Sequence, residues 1–194
     1  MKIGIYGGSF NPIHFGHLIP VSIAAEKLKL DKVYFVVANR PPHKNSSGLA
    51  DGKHRLKMAE IALASDDDFI VSDIEFQEGQ KPYTVDLLAS FRKKFPKDKL
   101  HLLIGADSLF ELKSWYKWEL LFLRADMVAA MARQGFPKDK IDNDIIANSN
   151  LIGTPLIEIS ATGIRQRIKQ KKTIKYLVPK AVENYINRNI LYTE

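Results

Sequence analysis

Apolar residues recur along this chain in two periods, and the switching between them outlines a series of elements. Residues 2–6, Lys2-Ile3-Gly4-Ile5-Tyr6, form a short apolar run stopped by Gly7-Gly8, which predicts a strand and a turn. Leu18, Val21, Ala24, Ala25 and Leu28 follow at helical spacing. Residues 32–38 are β-branched and aromatic and predict a buried second strand, which ends in a polar, proline-bearing loop over 39–48. Asp51 is placed to cap a helix carrying Leu56, Met58, Ala59, Ile61 and Ala62, and 69–72 predicts a third strand. After a turn at 78–82, Thr84 is the expected N-cap of a helix through Leu87, Leu88 and Phe91, and 100–104 predicts strand four. A short helix is expected to carry Trp115 and Trp118 on one face, with a fifth strand over 127–132. Residues 133–150 read as irregular or locally helical, and 155–159 as the last strand. Ser160-Ala161-Thr162 then opens a basic helix, and Pro179 a final one with Val182, Tyr185, Ile186 and Ile190 on one face.

Strands alternating with helices predict an α/β fold with a Rossmann-like, doubly wound, mostly parallel sheet and helices on both faces. One domain is expected over 1–194, with 160–194 as its C-terminal helical part. In such sheets ligands bind beyond the carboxyl ends of the strands, at the point where strand order reverses. Four unusual segments follow strand ends in this reading: Gly7 to His17, Arg40 to Lys44, Gly105 to Asp107 and Ser160 to Arg165.

Composition narrows the chemistry. The 194 residues are 45% apolar and 26% charged, ordinary for a globular domain, and no stretch approaches the ~20 apolar residues that span a bilayer. A strand at the outset leaves no room for a signal peptide, so a cytoplasmic protein without a membrane partner is expected. The absence of cysteine excludes disulfides, thiolate catalysis and cysteine-ligated metal clusters. A net charge of +7 suits anionic ligands. The basic residues Arg165, Arg167, Lys169, Lys171, Lys172 and Lys175 have no nucleic-acid module around them, and a solvated helix face explains the lysines as well. No nucleic-acid partner is expected, and a homo-oligomer is left open.

The segment Gly7-Gly8-Ser9-Phe10-Asn11-Pro12-Ile13-His14-Phe15-Gly16-His17 carries the first chemical reading. Glycines let backbone N–H groups approach an anion, and a helix N-terminus attracts negative charge by roughly 0.3–1 kcal/mol. His14 and His17, one turn apart, share a face and can donate hydrogen bonds to one anion as charge develops on it. The loop matches neither the dinucleotide-binding nor the P-loop pattern. A metal site and a structural histidine pair compete with the anion reading, although no third ligand lies nearby in sequence.

Two segments together carry a resemblance: Gly8-Ser9-Phe10-Asn11-Pro12-x-His14-x-Gly16-His17 and Ile159-Ser160-Ala161-Thr162-Gly163-Ile164-Arg165 look like the paired signatures of adenylyltransferases in the nucleotidyltransferase superfamily. With Pro41-Pro42-His43-Lys44, Tyr83-Thr84-Val85-Asp86, Gly105-Ala106-Asp107 and Trp115 to Leu120, the chain resembles bacterial nicotinate-nucleotide adenylyltransferases from end to end. The resemblance implies adenylyl transfer from ATP to nicotinate mononucleotide, giving deamido-NAD and pyrophosphate by direct in-line attack in NAD biosynthesis. It implies His14, His17 and Lys44 as catalytic residues. Gly7, Gly8, Ser9, Phe10, Gly105, Asp107, Ile159, Ser160, Thr162 and Arg165 would bind ATP with the two histidines. Lys44, Thr84, Trp115 and Tyr116 would bind nicotinate mononucleotide, Thr84 and Tyr116 through backbone N–H groups. Mg²⁺ is expected on the ATP phosphates, with no protein ligand nominated. For Ser160 and Thr162, helix capping competes with phosphate binding, and for Asp107 capping competes with a ribose contact. Two positions depart from the family pattern: Ala161 replaces a frequent serine, and Gln134 stands where proline commonly follows the arginine at 133. Pantetheine-phosphate adenylyltransferases and enzymes preferring nicotinamide mononucleotide are the neighbouring alternatives, and a nucleic-acid-binding module is a more distant one.

Overall fold

The computed structural model describes residues 1–39, 48–77, 79, 83–132 and 135–193. Six strands form one parallel sheet: β1 (Lys2–Gly8), β2 (Lys32–Val37), β3 (Phe69–Ser72), β4 (Lys99–Gly105), β5 (Met127–Ala132) and β6 (Ser149–Gly153). Their order in space is β3-β2-β1-β4-β5-β6, so the chain reverses its direction of travel across the sheet between β1 and β4. This is the doubly wound arrangement, and its switch crevice opens at the carboxyl ends of β1 and β4.

Both faces of the sheet are covered, which explains why the central strands read as nearly continuous apolar runs. Along β2, Val33, Phe35 and Val37 enter one apolar cluster while Val36 enters the other. One face packs Ile3, Ile5, Leu100 and Leu102 against α3 (Thr84–Lys94) and α5 (Glu119–Arg124). The other packs against α1 (Phe15–Leu28), α2 (Gly52–Ala62), α7 (Ala161–Lys169) and α8 (Lys180–Arg188). The remaining short helices are α4 (Ser108–Glu111) and α6 (Asn143–Asn148). Among the described residues, no helix is long and apolar enough to cross a membrane.

Three local expectations are corrected. The last strand is Ser149–Gly153 rather than 155–159: Pro155 has no N–H to give to the ladder, whereas the backbone of the polar pair Ser149-Asn150 pairs in register with Val128 and Ala129. Residues 155–159 instead form an irregular segment without ladder bonds. Trp115 and Trp118 do not share a helix face, because Trp115 is extended (φ −74°, ψ 141°) and Trp118 caps the start of α5. The cap of α3 is Tyr83 and Thr84 is its first helical residue, so the Thr84 hydroxyl is not the cap. Asp51 does cap α2, its carboxylate accepting from the Lys53 N–H at 2.8 Å.

Candidate active site

The first glycine-rich segment turns from β1 into α1 at the switch point. His14 is the N-cap of α1, in extended conformation (φ −152°, ψ 170°), and its carbonyl accepts from the N–H groups of His17 and Leu18 at 2.8 and 3.2 Å. The His14 N–H donates to His17 Nδ1 at 3.3 Å, so the helix start itself orients the second imidazole. The two rings stack with centroids 3.7 Å apart, and Phe10 meets His17 edge-on at 5.2 Å. Although His14 lies outside the helix, the two imidazoles are adjacent, as the spacing predicts.

Burial sets the charge of His14. His14 is 4% exposed, desolvation pushes its pKa down to about 4, and its Nδ1 has no hydrogen-bond partner among the described residues. It is therefore neutral near pH 7. A negative charge placed beside the ring would draw the pKa upward.

Gly16 brings the two signature segments together. A Cβ at Gly16 would lie 2.8 Å from the Ile159 carbonyl oxygen and 2.9 Å from the His14 ring. The Arg165 guanidinium reaches back across the same junction, donating to the Asn11 carbonyl at 2.9 Å and to Thr162 Oγ1 at 3.2 Å. Ser160 caps α7, its Oγ accepting from the Gly163 N–H at 3.0 Å, so its capping role is realised and its own hydroxyl proton remains to donate.

Beyond the strand ends lies open space. A Cβ at Gly7 or at Gly105 would meet nothing within 4 Å; Gly7 is the penultimate residue of β1 and Gly105 ends the adjacent β4. Beside Gly105 a cavity of about 170 Å³ is lined by Asp107, Met131, Phe136, Thr154, Leu156 and Ile157. Asp107 is exposed there, and its carboxylate makes no capping bond to α4, so it is left for another partner. Residues 155–157, expected to begin the last strand, instead supply one wall of this cavity together with Thr154.

On the other side of the crevice, the N-terminus of α3 meets the turn before α5. The Tyr83 and Tyr116 rings lie 4.4 Å apart, bringing Thr84 beside Tyr116, while Trp115 is half-buried against the apolar cluster below. Trp118 packs edge-on to Phe122 at 6.4 Å. Lys44, with Pro41, Pro42 and His43, lies outside the described residues, as do Arg133 and Gln134.

Sequence reasoning passed over Arg55. It is 1% exposed on α2 and donates to the carbonyls of Ser9, Ala38, Asn39 and Ala50, tying the start of the β1 loop to the end of β2 and the entrance of α2. One signal was present: Arg55, Met58, Ala59 and Ala62 fall at i, i+3, i+4 and i+7, so a charge occupies the core stripe of the helix. Such a charge persists when its donors are matched to inward-facing carbonyls, as four of the five N–H groups are here. Glu75 lies behind it, its carboxyl pushed up by burial while it accepts from the Asn39 N–H at 3.2 Å.

Comparison with known proteins gives the family. The family model described as cytidylyltransferase-like matches residues 5–167. A protein of Thermus thermophilus named "Probable nicotinate-nucleotide adenylyltransferase" is 42% identical over 192 residues, covering 99% of this chain and 100% of its own. The chain belongs to the nicotinate-nucleotide adenylyltransferases. Another member, from Lachnoclostridium phytofermentans, is 37% identical with 98% of each chain covered. The fold is that of Plasmodium falciparum nicotinic acid mononucleotide adenylyltransferase, solved in complex with NaAD (TM-score 0.81, 24% identity, 98% of this chain and 97% of that one). As a member of this family of nucleotidyltransferases, the protein is an enzyme.

Proposed function

We propose that the enzyme transfers the adenylyl group of ATP to nicotinate mononucleotide, releasing pyrophosphate and deamido-NAD. The observation that carries the reading is the junction at Gly16, where the His14–His17 pair and the Ser160–Arg165 segment meet over the open ends of β1 and β4. A 5′-phosphate oxygen of the mononucleotide attacks the α-phosphorus of ATP, the bond from that phosphorus to the bridging oxygen breaks, and the electron pair leaves with pyrophosphate. No enzyme nucleophile is needed. Alignment of two anions in one crevice supplies roughly 7–11 kcal/mol when the geometry is right, and donors aimed at the charge that develops supply more.

In this reading His14 and His17 donate to the ATP phosphates, and Lys44 neutralises them. The α7 entrance, with Ser160, Thr162 and Arg165, holds the leaving pyrophosphate; Ile159 and the Gly7–Phe10 turn line its path. Gly105 admits the adenosine closely and Asp107 accepts from its ribose hydroxyls, a role supported by the exposed carboxylate beside the cavity. The Thr84 and Tyr116 N–H groups receive the nicotinate carboxylate while the Trp115 ring faces the pyridine. Their neighbourhood is supported by the Tyr83–Tyr116 contact.

Mg²⁺ belongs in this scheme to the substrate. The nitrogen donors at the phosphate end are imidazoles, a poor match for a hard, oxygen-seeking cation, and the described residues hold no group of three or more metal-ligating side chains. The ion is assigned to phosphate oxygens and water, and no step passes through a protein-held metal.

The test is an acceptor panel: pyrophosphate release from ATP and Mg²⁺ with nicotinate mononucleotide, nicotinamide mononucleotide or phosphopantetheine. Nicotinate mononucleotide is expected to react much the fastest, with inversion at a chirally labelled α-phosphorus. Equal rates for the two pyridine nucleotides would remove the carboxylate site. Preference for phosphopantetheine would replace the reading, and retention at phosphorus would require a covalent intermediate.

A further inference from the structure

We infer that Tyr192, in the segment that follows α8, is a positioning residue for the loop bearing His14 and His17, acting through the carboxamide of Asn11. The inference rests on the adenylyl-transfer reading for its catalytic consequence. The Tyr192 hydroxyl donates to Asn11 Oδ1 at 2.8 Å, across 181 residues of sequence. The same oxygen accepts from the Ala50 N–H at 3.1 Å, while Asn11 Nδ2 donates to the Gly48 carbonyl at 2.9 Å. Arg165 occupies the Asn11 backbone carbonyl. Asn11 is 4% exposed, so its polar atoms depend on these partners rather than on water. One buried side chain therefore joins the β1 loop, the entrance of α2 and the end of the chain after α8, and Arg165 adds α7.

The segment carrying Tyr192 is built to hold this contact. Helix α8 ends with the Ile190 N–H on the Asn187 carbonyl and the Leu191 N–H on the Ile186 carbonyl, the paired bonds of a Schellman stop. Ile190 (φ 52°) and Tyr192 (φ 65°) both take the left-handed conformation that side chains with a Cβ adopt rarely. Leu191 and Tyr192 then pack against the cluster that contains Phe10 and Ile13, the residues flanking Asn11 and Pro12. Phe10 is itself left-handed at φ 43°, so the loop's turn and the segment that braces it are both specialised. Burial raises the phenol pKa of Tyr192, which keeps the hydroxyl a donor through the neutral range.

Tyr192 touches the loop and not the reacting atoms. Its effect should therefore appear in how well His14 and His17 are held, with little change in ground-state binding. The experiment uses the full chain and Tyr192→Phe, which keeps the ring and its packing and removes only the hydroxyl. Wild-type turnover of ATP with nicotinate mononucleotide is measured first, and its absence would sink the reaction assignment alone. The variant is expected to lose on the order of fivefold to tenfold in kcat, with KM for ATP within about twofold. Amide hydrogen exchange of the peptide spanning residues 9–17 is expected to quicken in the variant, a readout that does not depend on the substrate. In an Asn11→Ala background the hydroxyl should cost nothing further, because its partner is already gone. Wild-type kcat with unchanged exchange in 9–17, or a loss that persists undiminished in the Asn11→Ala background, would overturn the inference. A lowered thermal midpoint alone would reduce Tyr192 to a packing residue.

Discussion

His14 links burial, charge and stability in one side chain. An imidazole in the unfolded chain titrates near pH 6.5, whereas in the fold desolvation lowers the value to about 4. Between these values the unfolded state binds the proton and the folded state does not. Stability is therefore complete above about pH 6.5, falls as the pH drops toward 4, and levels off below that, a difference of about 3 kcal/mol if His14 acted alone. His101, also pushed down by burial, adds to the same slope. Urea midpoints measured from pH 7.5 to 4 should fall more shallowly for His14→Gln than for the wild type, with His101 supplying the remainder. An identical slope would show that His14 does not titrate in this way. The histidine pair was legible in sequence because residues three apart at a helix start lie side by side, although here His14 is the extended N-cap rather than a helical residue. Arg55 showed only as a charge in an apolar stripe and Tyr192 not at all, because their partners are backbone carbonyls and a carboxamide that only the tertiary fold brings near. No local pattern encodes a carbonyl 46 residues away in the case of Arg55 and Ser9.

Among elements, the contact between the start of α1 and the segment entering α7 is the tightest constraint on the site. Gly16→Ala places a methyl group 2.8 Å from a backbone oxygen, which cannot rotate away as a side chain would. One of the two segments must shift, and a displacement of about 1 Å at a reacting centre can cost on the order of a hundredfold in rate. The variant is expected to lose kcat on that scale while its far-UV circular dichroism stays that of the wild type. Near-normal turnover would mean that the junction is not part of the machinery. At this scale the sequence was informative wherever a strand is apolar along most of its length: the runs 69–72 and 127–132 coincide with β3, half-buried at one edge, and β5, buried beyond Met127. It failed at the opposite edge, where β6 opens on the polar pair Ser149-Asn150 and gives no apolar run to read. It failed again around Trp115, since aromatic spacing cannot separate a helix face from two short turns.

For the whole molecule, the charge of +7 faces a reaction in which both proposed substrates are anions. Long-range attraction of this kind is screened over about 10 Å at 0.1 M salt. Raising NaCl from roughly 25 to 250 mM should therefore lower kcat/KM several-fold, mostly through KM. A salt-independent kcat/KM would assign the excess charge to solubility alone. The doubly wound architecture was readable from the alternation of strand and helix, because six β-strands separated by helices leave few other arrangements.

The place of β1 in the sheet also sets an order of events as the chain leaves the ribosome. Its partner β2 ends at Val37, but its other neighbour, β4, begins only at Lys99. For some sixty residues of synthesis one whole edge of the innermost strand waits without its ladder. Helices α7 and α8, which close the cluster around Phe10, Val21 and Met58, emerge last of all. The half of the protein made first is thus the half finished last, and a nascent chain halted after β3 would present a bare strand edge and an uncovered apolar face to any chaperone or neighbouring copy that reached it.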